Sequence, residues 1–144
     1  MNHALRRMFK TNNALETNGI DIEYGEGLQI KVARAGGGNK KFTRTITRLT
    51  KAHRSAIQHG IISDEVADGI VLQAYAEAVI MSWTGVTKEV LTGNEADTEE
   101  LECTVDNIIA VMKELPDLFA DIQKVSQELA SFRAEILEND SKNS

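Results

Sequence analysis

A glycine-rich turn followed by lysines, AGGGNKK over residues 35–41, has the composition of a ligand-binding loop. The backbone N–H groups of such a turn can hold a phosphate when a helix begins directly after it. Both nucleotide-binding spacings, GxxxxGK(S/T) and GxGxxG, are absent from the turn, and no acidic residue is placed to hold Mg²⁺. The pattern therefore favours a flexible connector in which Asn39 is the N-cap of the following helix.

Other reactive side chains form no catalytic or metal-binding set. The three histidines (His3, His53 and His59) and the single Cys103 lack the spacing of a zinc site. A Ser-His-Asp set and a pair of carboxylates in a predicted cleft are also missing. The acidic neighbours of Cys103 are expected to raise the pKa of its thiol. We therefore expect a protein that is not an enzyme and that has no metal or cofactor.

A basic face is predicted on the helix of about residues 40–59. Phe42, Ile46 and Leu49 share the apolar arc of this helix, and six cations share the opposite arc. These cations form a candidate electrostatic face and are Lys40, Lys41, Arg44, Arg48, Lys51 and Arg54. The face fits a solvated surface, an acidic protein partner, nucleic acid or an anionic membrane.

Two of these interpretations are disfavoured by the surrounding sequence. Aromatic residues are not interleaved with the cations, and the rest of the chain is acidic, which argues against nucleic acid. The apolar arc has no Trp and is needed for the core, which argues against a membrane. A small basic-helix regulator that binds nucleic acid remains the alternative function. Glu77 and Gln73 form a polar stripe on the next helix, expected at a rim or paired with this basic helix.

The charge of the chain is divided between its two halves. Residues 1–62 hold 11 Lys or Arg and 4 Asp or Glu, whereas residues 63–144 hold 5 and 18, so the halves carry +7 and −13. Such asymmetry favours packing between the halves, recognition of a polar partner, or head-to-tail self-association. A single cysteine and an N-terminus without an apolar run predict a cytoplasmic protein without a signal peptide.

The element that organises the chain is a predicted helix over residues 63–83. Its apolar side chains lie almost all the way round, so neighbouring elements should cover it, and Ser63 is a suitable N-cap. Two alternating runs before it, joined by Gly25-Glu26-Gly27, predict a β-hairpin over residues 20–34. The predicted fold is mainly α with a small N-terminal β-hairpin (α+β), a helical bundle built around the central apolar helix.

One α-rich domain is predicted over residues 18–138. A flexible N-terminal arm (1–17) precedes it, and a disordered tail (139–144) follows. Residues 84–103 form an acidic loop without periodicity, which is long for a compact domain and is interpreted as an adaptable contact loop or a mobile excursion. Two further helices are predicted over about 105–115 and 116–138.

An apolar stripe follows the last of these helices and is the candidate partner-binding surface. Its members are Leu118, Ile122, Val125, Leu129, Phe132 and Ile136. The stripe is too short for a free-standing coiled coil. A helix over 117–138 would nevertheless be about 33 Å long, as wide as a small domain. We therefore expect its far turns, around Phe132 and Ile136, to stand partly free and to pair with another copy or with a partner helix.

Four segments in this order resemble a tail assembly chaperone of long-tailed (siphophage-type) bacteriophages. They are TNNALETNGIDIEYG, LQIKVARAGGGNKKF, IVLQAYAEAVIMSWTGV and TVDNIIAVMKELPDLFADIQKVSQELASFR, and the resemblance runs from about Phe9 to the end of the chain. The ARAGG-N turn, the SWTGV segment and the LPDLF…I…FR block are its most specific parts. The acidic residues between Val86 and Glu102 match little of the family pattern.

The resemblance implies a non-enzymatic protein that acts during virion assembly. Such a chaperone binds and solubilises the tape measure protein, helps to recruit tail tube subunits, and is absent from the mature virion. We therefore expect the tape measure protein and the tail tube protein as partners, together with self-association, in the host-cell cytoplasm. We expect neither nucleic acid nor a membrane as a partner. A chaperone for a long helical client also needs apolar contact surface, several copies to coat the client, and charge for solubility.

Overall fold

The computed structural model describes residues 3–133 of the chain. Three strands and a series of helices follow one another along these residues. In chain order they are α1 (Ala4–Phe9), α2 (Asn13–Asn18), β1 (Ile20–Gly25), β2 (Leu28–Val32), α3 (Lys40–Lys51), α4 (Arg54–Gln58), α5 (Asp64–Ala78), β3 (Ile80–Thr84), α6 (Glu89–Thr92), α7 (Val105–Glu114), α8 (Pro116–Gln127) and a 3₁₀ helix (Leu129–Phe132). None of the helices in the described residues has the length and apolar character that a membrane span requires.

The sheet corrects the predicted fold class. It has three antiparallel strands in the order β1-β2-β3, so the N-terminal hairpin is not a separate two-stranded unit and the protein is not a helical bundle. The third strand comes from the last residues of the predicted central helix, and it pairs Ile30 with Trp83 across β2 and β3. Without β3, one edge of β2 would leave its backbone N–H and C=O groups unpaired.

The central helix therefore ends at Ala78 and not at Trp83. Ile80 and Trp83 are buried in β3, as β-branched and aromatic side chains commonly are in strands. An all-round apolar pattern indicates burial in a helix and in a strand alike, so periodicity could not distinguish the two. Gly85 ends the strand with φ +83°, and a Cβ there would lie 2.6 Å from the carbonyl oxygen of Gly27. This close approach requires glycine at the end of the SWTG segment.

Helix α5 forms the centre of the core, as its apolar pattern predicts. Its buried side chains are Leu72, Ala74, Tyr75, Ala76 and Ala78. The helix packs against α3 and α7, and the Ser63 hydroxyl accepts a hydrogen bond from the Val66 N–H at 3.2 Å, which confirms the predicted N-cap. The ring of Tyr75 makes edge contacts with Phe42 on α3 and Phe119 on α8, at centroid distances of 5.5 and 5.2 Å. Tyr75 thus joins three helices.

The helix predicted over 40–59 is interrupted after Lys51. His53, with φ −114° and ψ 13°, separates α3 from α4. The hydroxyls of Thr45, Thr47 and Thr50 each donate a hydrogen bond to the carbonyl four residues earlier. Such bonds compete with the helical ladder and often bend helices. We attribute the interruption to this threonine-rich sequence.

The C-terminal helix is also shorter than predicted, because α8 ends at Gln127. Glu128 has an extended backbone (φ −70°, ψ 125°), and the 3₁₀ helix follows it. The carbonyl of Ser126 accepts a hydrogen bond from the Ala35 N–H at 2.9 Å, and the carbonyl of Phe132 accepts one from the Asn12 N–H at 2.9 Å. These carbonyls therefore bond to distant segments rather than to a continuing helix.

The N-terminal segment differs from the flexible arm that the sequence predicts. The Asn12 side chain caps α2, where it accepts hydrogen bonds from the N–H groups of Ala14 and Leu15 at 2.9 and 3.2 Å. Glu16 on α2 is only 1% exposed, and Thr11 forms a β-bridge with Arg133. Residues 11–18 are thus attached to the rest of the fold, whereas no residue of α1 is buried.

The acidic stretch after β3 is folded back on itself. The Trp83 indole N–H donates a hydrogen bond to the Leu101 carbonyl at 2.7 Å, and the Leu101 N–H donates to the Val86 carbonyl at 2.8 Å. Lys88 Nζ lies 2.6 Å from Glu99 Oε2. These contacts, with α6 between them, give the stretch a defined conformation in place of an irregular loop.

Candidate interaction surfaces

The glycine-rich turn holds a carboxylate of the protein itself. The Gly38 N–H donates a hydrogen bond to Glu16 Oε2 at 2.6 Å, Arg34 Nη1 lies 3.0 Å from the same oxygen, and the Thr11 hydroxyl donates to Oε1. A Cβ at Gly37 would lie 2.2 Å from Glu16 Oε2. The N–H of Gly38, one of the turn donors that the phosphate interpretation needed, is therefore occupied by Glu16.

Hydrogen bonding determines the protonation of Glu16. Its burial raises the pKa of the carboxyl, but the bonds from Gly38, Thr11 and Arg34 together outweigh burial and hold that pKa below its ordinary value. Glu16 is therefore ionised at neutral pH. Its position joins α2 to the connector between β2 and α3.

Asn39 begins α3 without capping it through its side chain. Its amide Nδ2 donates to the carbonyls of Arg34 and Ala78, both at 2.8 Å. Asn39 thus occupies the predicted N-cap position, although its side chain makes no capping hydrogen bond. The side chain instead connects the glycine turn to the last residue of α5. Together with Glu16, it makes the turn a structural junction.

The candidate electrostatic face on α3 and α4 is open to solvent. All six cations are exposed: Lys40, Lys41, Arg44, Arg48, Lys51 and Arg54. Arg48 Nη2 lies 2.6 Å from Glu77 Oε1, and Gln73 donates a hydrogen bond to Glu77 Oε2 at 2.8 Å. Glu77 thus pairs with Arg48 of the basic helix, which was one of the two expected arrangements, and Gln73 bonds to Glu77 on the same helix. Hydrogen bonds from Gln73 and Arg48 keep the pKa of Glu77 below its ordinary value despite its partial burial.

The predicted partner-binding stripe mostly faces the interior. Ile122 and Phe132 are completely buried, and Leu118, Val125 and Leu129 are half-buried. The expectation that Phe132 stands partly free is therefore wrong: the chain leaves the helix at Glu128 and turns Phe132 inward. Ile136 lies outside the described residues. A partner-binding role for the rest of the stripe stays a prediction.

Cys103 is half-buried, and its burial raises the pKa of the thiol to about 11. The thiol is therefore protonated at neutral pH, and the raised value follows from burial rather than from the acidic neighbours on which the sequence argument rested. Within residues 3–133, no cluster of His, Cys, Asp and Glu side chains has the geometry of a metal site.

A groove between α5, α7 and α8 was missed by the sequence analysis. It has a volume of about 790 Å³. The apolar part of its lining is Val71, Leu72, Met112, Pro116 and Phe119. Glu65, Asp68, Lys113 and Gln123 supply the polar part, and Gly69 leaves open space on the α5 side, since a Cβ at Gly69 would meet no atom within 4 Å. A glycine at position 69 of the apolar central helix is a sequence signal that could have indicated an opening here, but not the depth of the groove.

A second apolar surface lies on α1. Leu5, Met8 and Phe9 are 75%, 48% and 62% exposed. Arg6 and Arg7 lie on the same short helix, and Lys10 follows it. Residues 4–10, called the arm from here on, are therefore both apolar and basic.

Comparison with known proteins identifies the family of this chain. The model of a family described as YdaY prophage protein matches residues 37–143, which include α3 to α8, the basic face and every residue of the groove. No curated protein and no solved structure matches the chain. Because the family match covers well over half of the residues, the chain belongs to the YdaY prophage protein family and is of phage origin.

Proposed function

We propose that this protein is a non-enzymatic chaperone of phage tail assembly. In this proposal it binds and solubilises the tape measure protein and helps to recruit tail tube subunits in the host-cell cytoplasm, and it is absent from the mature virion. Its phage origin and the resemblance of its sequence to tail assembly chaperones support the proposal. The structural observation that carries it is the apolar groove between α5, α7 and α8.

The groove is suited to an amphipathic helix. A helix binds such a groove through apolar side chains at i, i+3, i+4 and i+7, and the apolar lining here is contributed by three helices. Hydrogen bonding of the groove to the backbone of an extended peptide is disfavoured, because the lining comes from helices whose N–H and C=O groups bond internally. A helical client is therefore the best match.

The wall that Phe119 forms in the groove is held in place by contacts with the core. Phe119 contacts the ring of Tyr75 edge-on at an interplanar angle of 89°. The Tyr75 hydroxyl accepts hydrogen bonds from Gln127 Nε2 at 2.8 Å and from Ser126 Oγ at 3.5 Å. A preformed wall reduces the entropy that is lost when a client helix is ordered on it.

The charges at the groove favour a particular kind of client helix. Glu65 and Asp68 are carboxylates of the lining near the start of α5, and Lys113 is the cation of the lining. A helix with apolar anchors and flanking Lys or Arg residues would place its cations near Glu65 and Asp68. Charges of this kind act mainly on specificity and on the rate of association.

Co-expression with the tape measure protein of the same prophage tests the proposal. Gly69→Arg fills the open side of the groove with a long cation, whereas Gly69→Ala adds one methyl group to the same position. Both changes replace glycine by a better helix former, so both variants should fold. We expect the parent and Gly69→Ala to keep the tape measure protein soluble and Gly69→Arg to lose this ability. A tape measure protein that is as insoluble with the parent protein as without it would contradict the proposal.

A further inference from the structure

The apolar face of α1 lacks a covering surface in the described structure. Leu5, Met8 and Phe9 lie at positions i, i+3 and i+4, so they share one side of the helix. All three are exposed, and α1 has only six residues. A helix of this length is marginal in water without packing contacts, so its stable form requires a surface that buries this side.

The groove of the same copy does not supply that surface here. None of the residues that line the groove belongs to α1. One residue, Lys10, separates Phe9 from Thr11, and Thr11 is anchored by its bridge to Arg133 and its hydroxyl bond to Glu16. The arm thus leaves the fold at an anchored point with its apolar side turned to solvent.

The arm and the groove are complementary in chemistry. The arm offers three apolar side chains next to the cations Arg6, Arg7 and Lys10. The groove offers an apolar lining next to the carboxylates of Glu65 and Asp68, with Lys113 as the opposing charge. A short amphipathic helix with basic flanks is also the kind of ligand that suits the groove.

We propose that the groove of one copy binds helix α1 of a second copy. Leu5, Met8 and Phe9 then pack against Val71, Pro116 and Phe119, the accessible apolar residues of the groove, while Arg6 and Arg7 approach Glu65 and Asp68. This contact covers the apolar side of α1 and the apolar lining of the groove before a client binds. The self-association does not depend on the identity of the client; displacement of the arm by a client helix does rest on the proposed function.

Sedimentation of full-length variants tests the contact. Leu5→Asp with Phe9→Asp breaks the arm and leaves the groove intact, whereas Gly69→Arg blocks the groove and leaves the arm intact. The changed side chains are exposed or face open space, so the folded monomer should tolerate them. We expect the parent and Gly69→Ala to self-associate between micromolar and millimolar protein, and each of the two disrupted variants to be monomeric.

An equimolar mixture of the two disrupted variants gives the sharper result. One variant supplies an intact arm and the other an intact groove, so the mixture should form a heterodimer although neither variant self-associates alone. A monomeric parent over the whole concentration range, or a mixture that remains monomeric when the parent associates, would overturn the proposal. Melting curves of both variants exclude unfolding as the cause of a monomeric result.

The same variants separate this inference from the proposed function. The arm variant retains the groove, so it should still keep the tape measure protein soluble. A client that stays soluble with a monomeric parent would refute the arm contact alone. A parent that self-associates through the arm while leaving the client insoluble would refute the proposed function alone.

Discussion

Glu16 Oε2 accepts a hydrogen bond from the backbone N–H of Gly38 at 2.6 Å, and Glu16 is 1% exposed. This bond attaches the N-terminal segment to the connector that precedes α3. We expect Glu16→Gln to lower the free energy of unfolding by about 1–3 kcal/mol, because the charge that satisfies Gly38 and Arg34 is lost from a buried site. Chemical denaturation measures the change. Glu23→Gln, on the exposed side of β1, is the matched control and should change stability little. A Glu16→Gln variant as stable as this control would show that the junction is not needed.

The pH dependence of stability follows from the same carboxyl. The pKa of Glu16 is lower in the folded protein than its ordinary value of 4.5, so its contribution is fully present above that value and is lost as the pH falls through the folded pKa. The pKa of Glu77 is shifted in the same direction, so acid alone does not isolate Glu16. We expect the parent and Glu16→Gln to differ in stability at neutral pH, and this difference to shrink as the pH falls from about 4.5 through the lower pKa of the folded protein. A difference that is constant over this range would contradict the ionised assignment.

Phe132 and Phe9 form a matched pair for the core. Phe132 is completely buried and Phe9 is 62% exposed. We expect Phe132→Ala to destabilise the protein by about 3–5 kcal/mol, the usual effect of truncating a buried phenylalanine, and Phe9→Ala to change the stability of the monomer little. Thermal melting at low concentration measures both. Equal melting temperatures for the parent and Phe132→Ala would show that Phe132 is not part of the core.

The exposed basic face gives a prediction about nucleic acid. Lys41, Arg44 and Arg48 are exposed, and the measurement is retention of the protein on DNA and RNA at several salt concentrations. We expect weak retention that disappears near physiological salt, because exposed cations bind any polyanion through counterion release. Changing the three residues to Gln should abolish even this. Tight binding at physiological salt, with a steep salt dependence that the triple change removes, would favour a nucleic-acid-binding regulator over the chaperone.

The sequence identified the buried centre of the protein better than its ends. The cap at Ser63 and the burial of Tyr75 follow from local signals, namely a hydroxyl before an acidic first turn and an apolar pattern. The strand at Ile80–Thr84 could not be found in this way, because its pairing with β2 depends on a distant edge. The end of α8 was missed for the same reason: the carbonyl of Ser126 bonds to the N–H of Ala35, 91 positions away in the sequence.

The candidate surfaces show a similar division. The six cations of α3 and α4 were predicted together from their helical spacing, and all are exposed. The groove depends on how three helices pack, so no spacing within one helix could indicate its depth. Likewise, the exposure of Phe9 and the burial of Phe132 are set by the points at which the chain leaves α1 and α8.

Photo-crosslinking from position 113 tests the central claim most directly. A photoreactive phenylalanine analogue in place of the exposed Lys113 puts its reactive group at the rim of the groove and leaves the open side at Gly69 unfilled, and the same analogue at Glu26, on the turn between β1 and β2, is the control. In cells that also produce the tape measure protein, we expect a crosslink from position 113 to a helical segment of that protein and none from position 26. A soluble tape measure protein that crosslinks from position 26 and not from position 113 would contradict the claim that the groove binds the client.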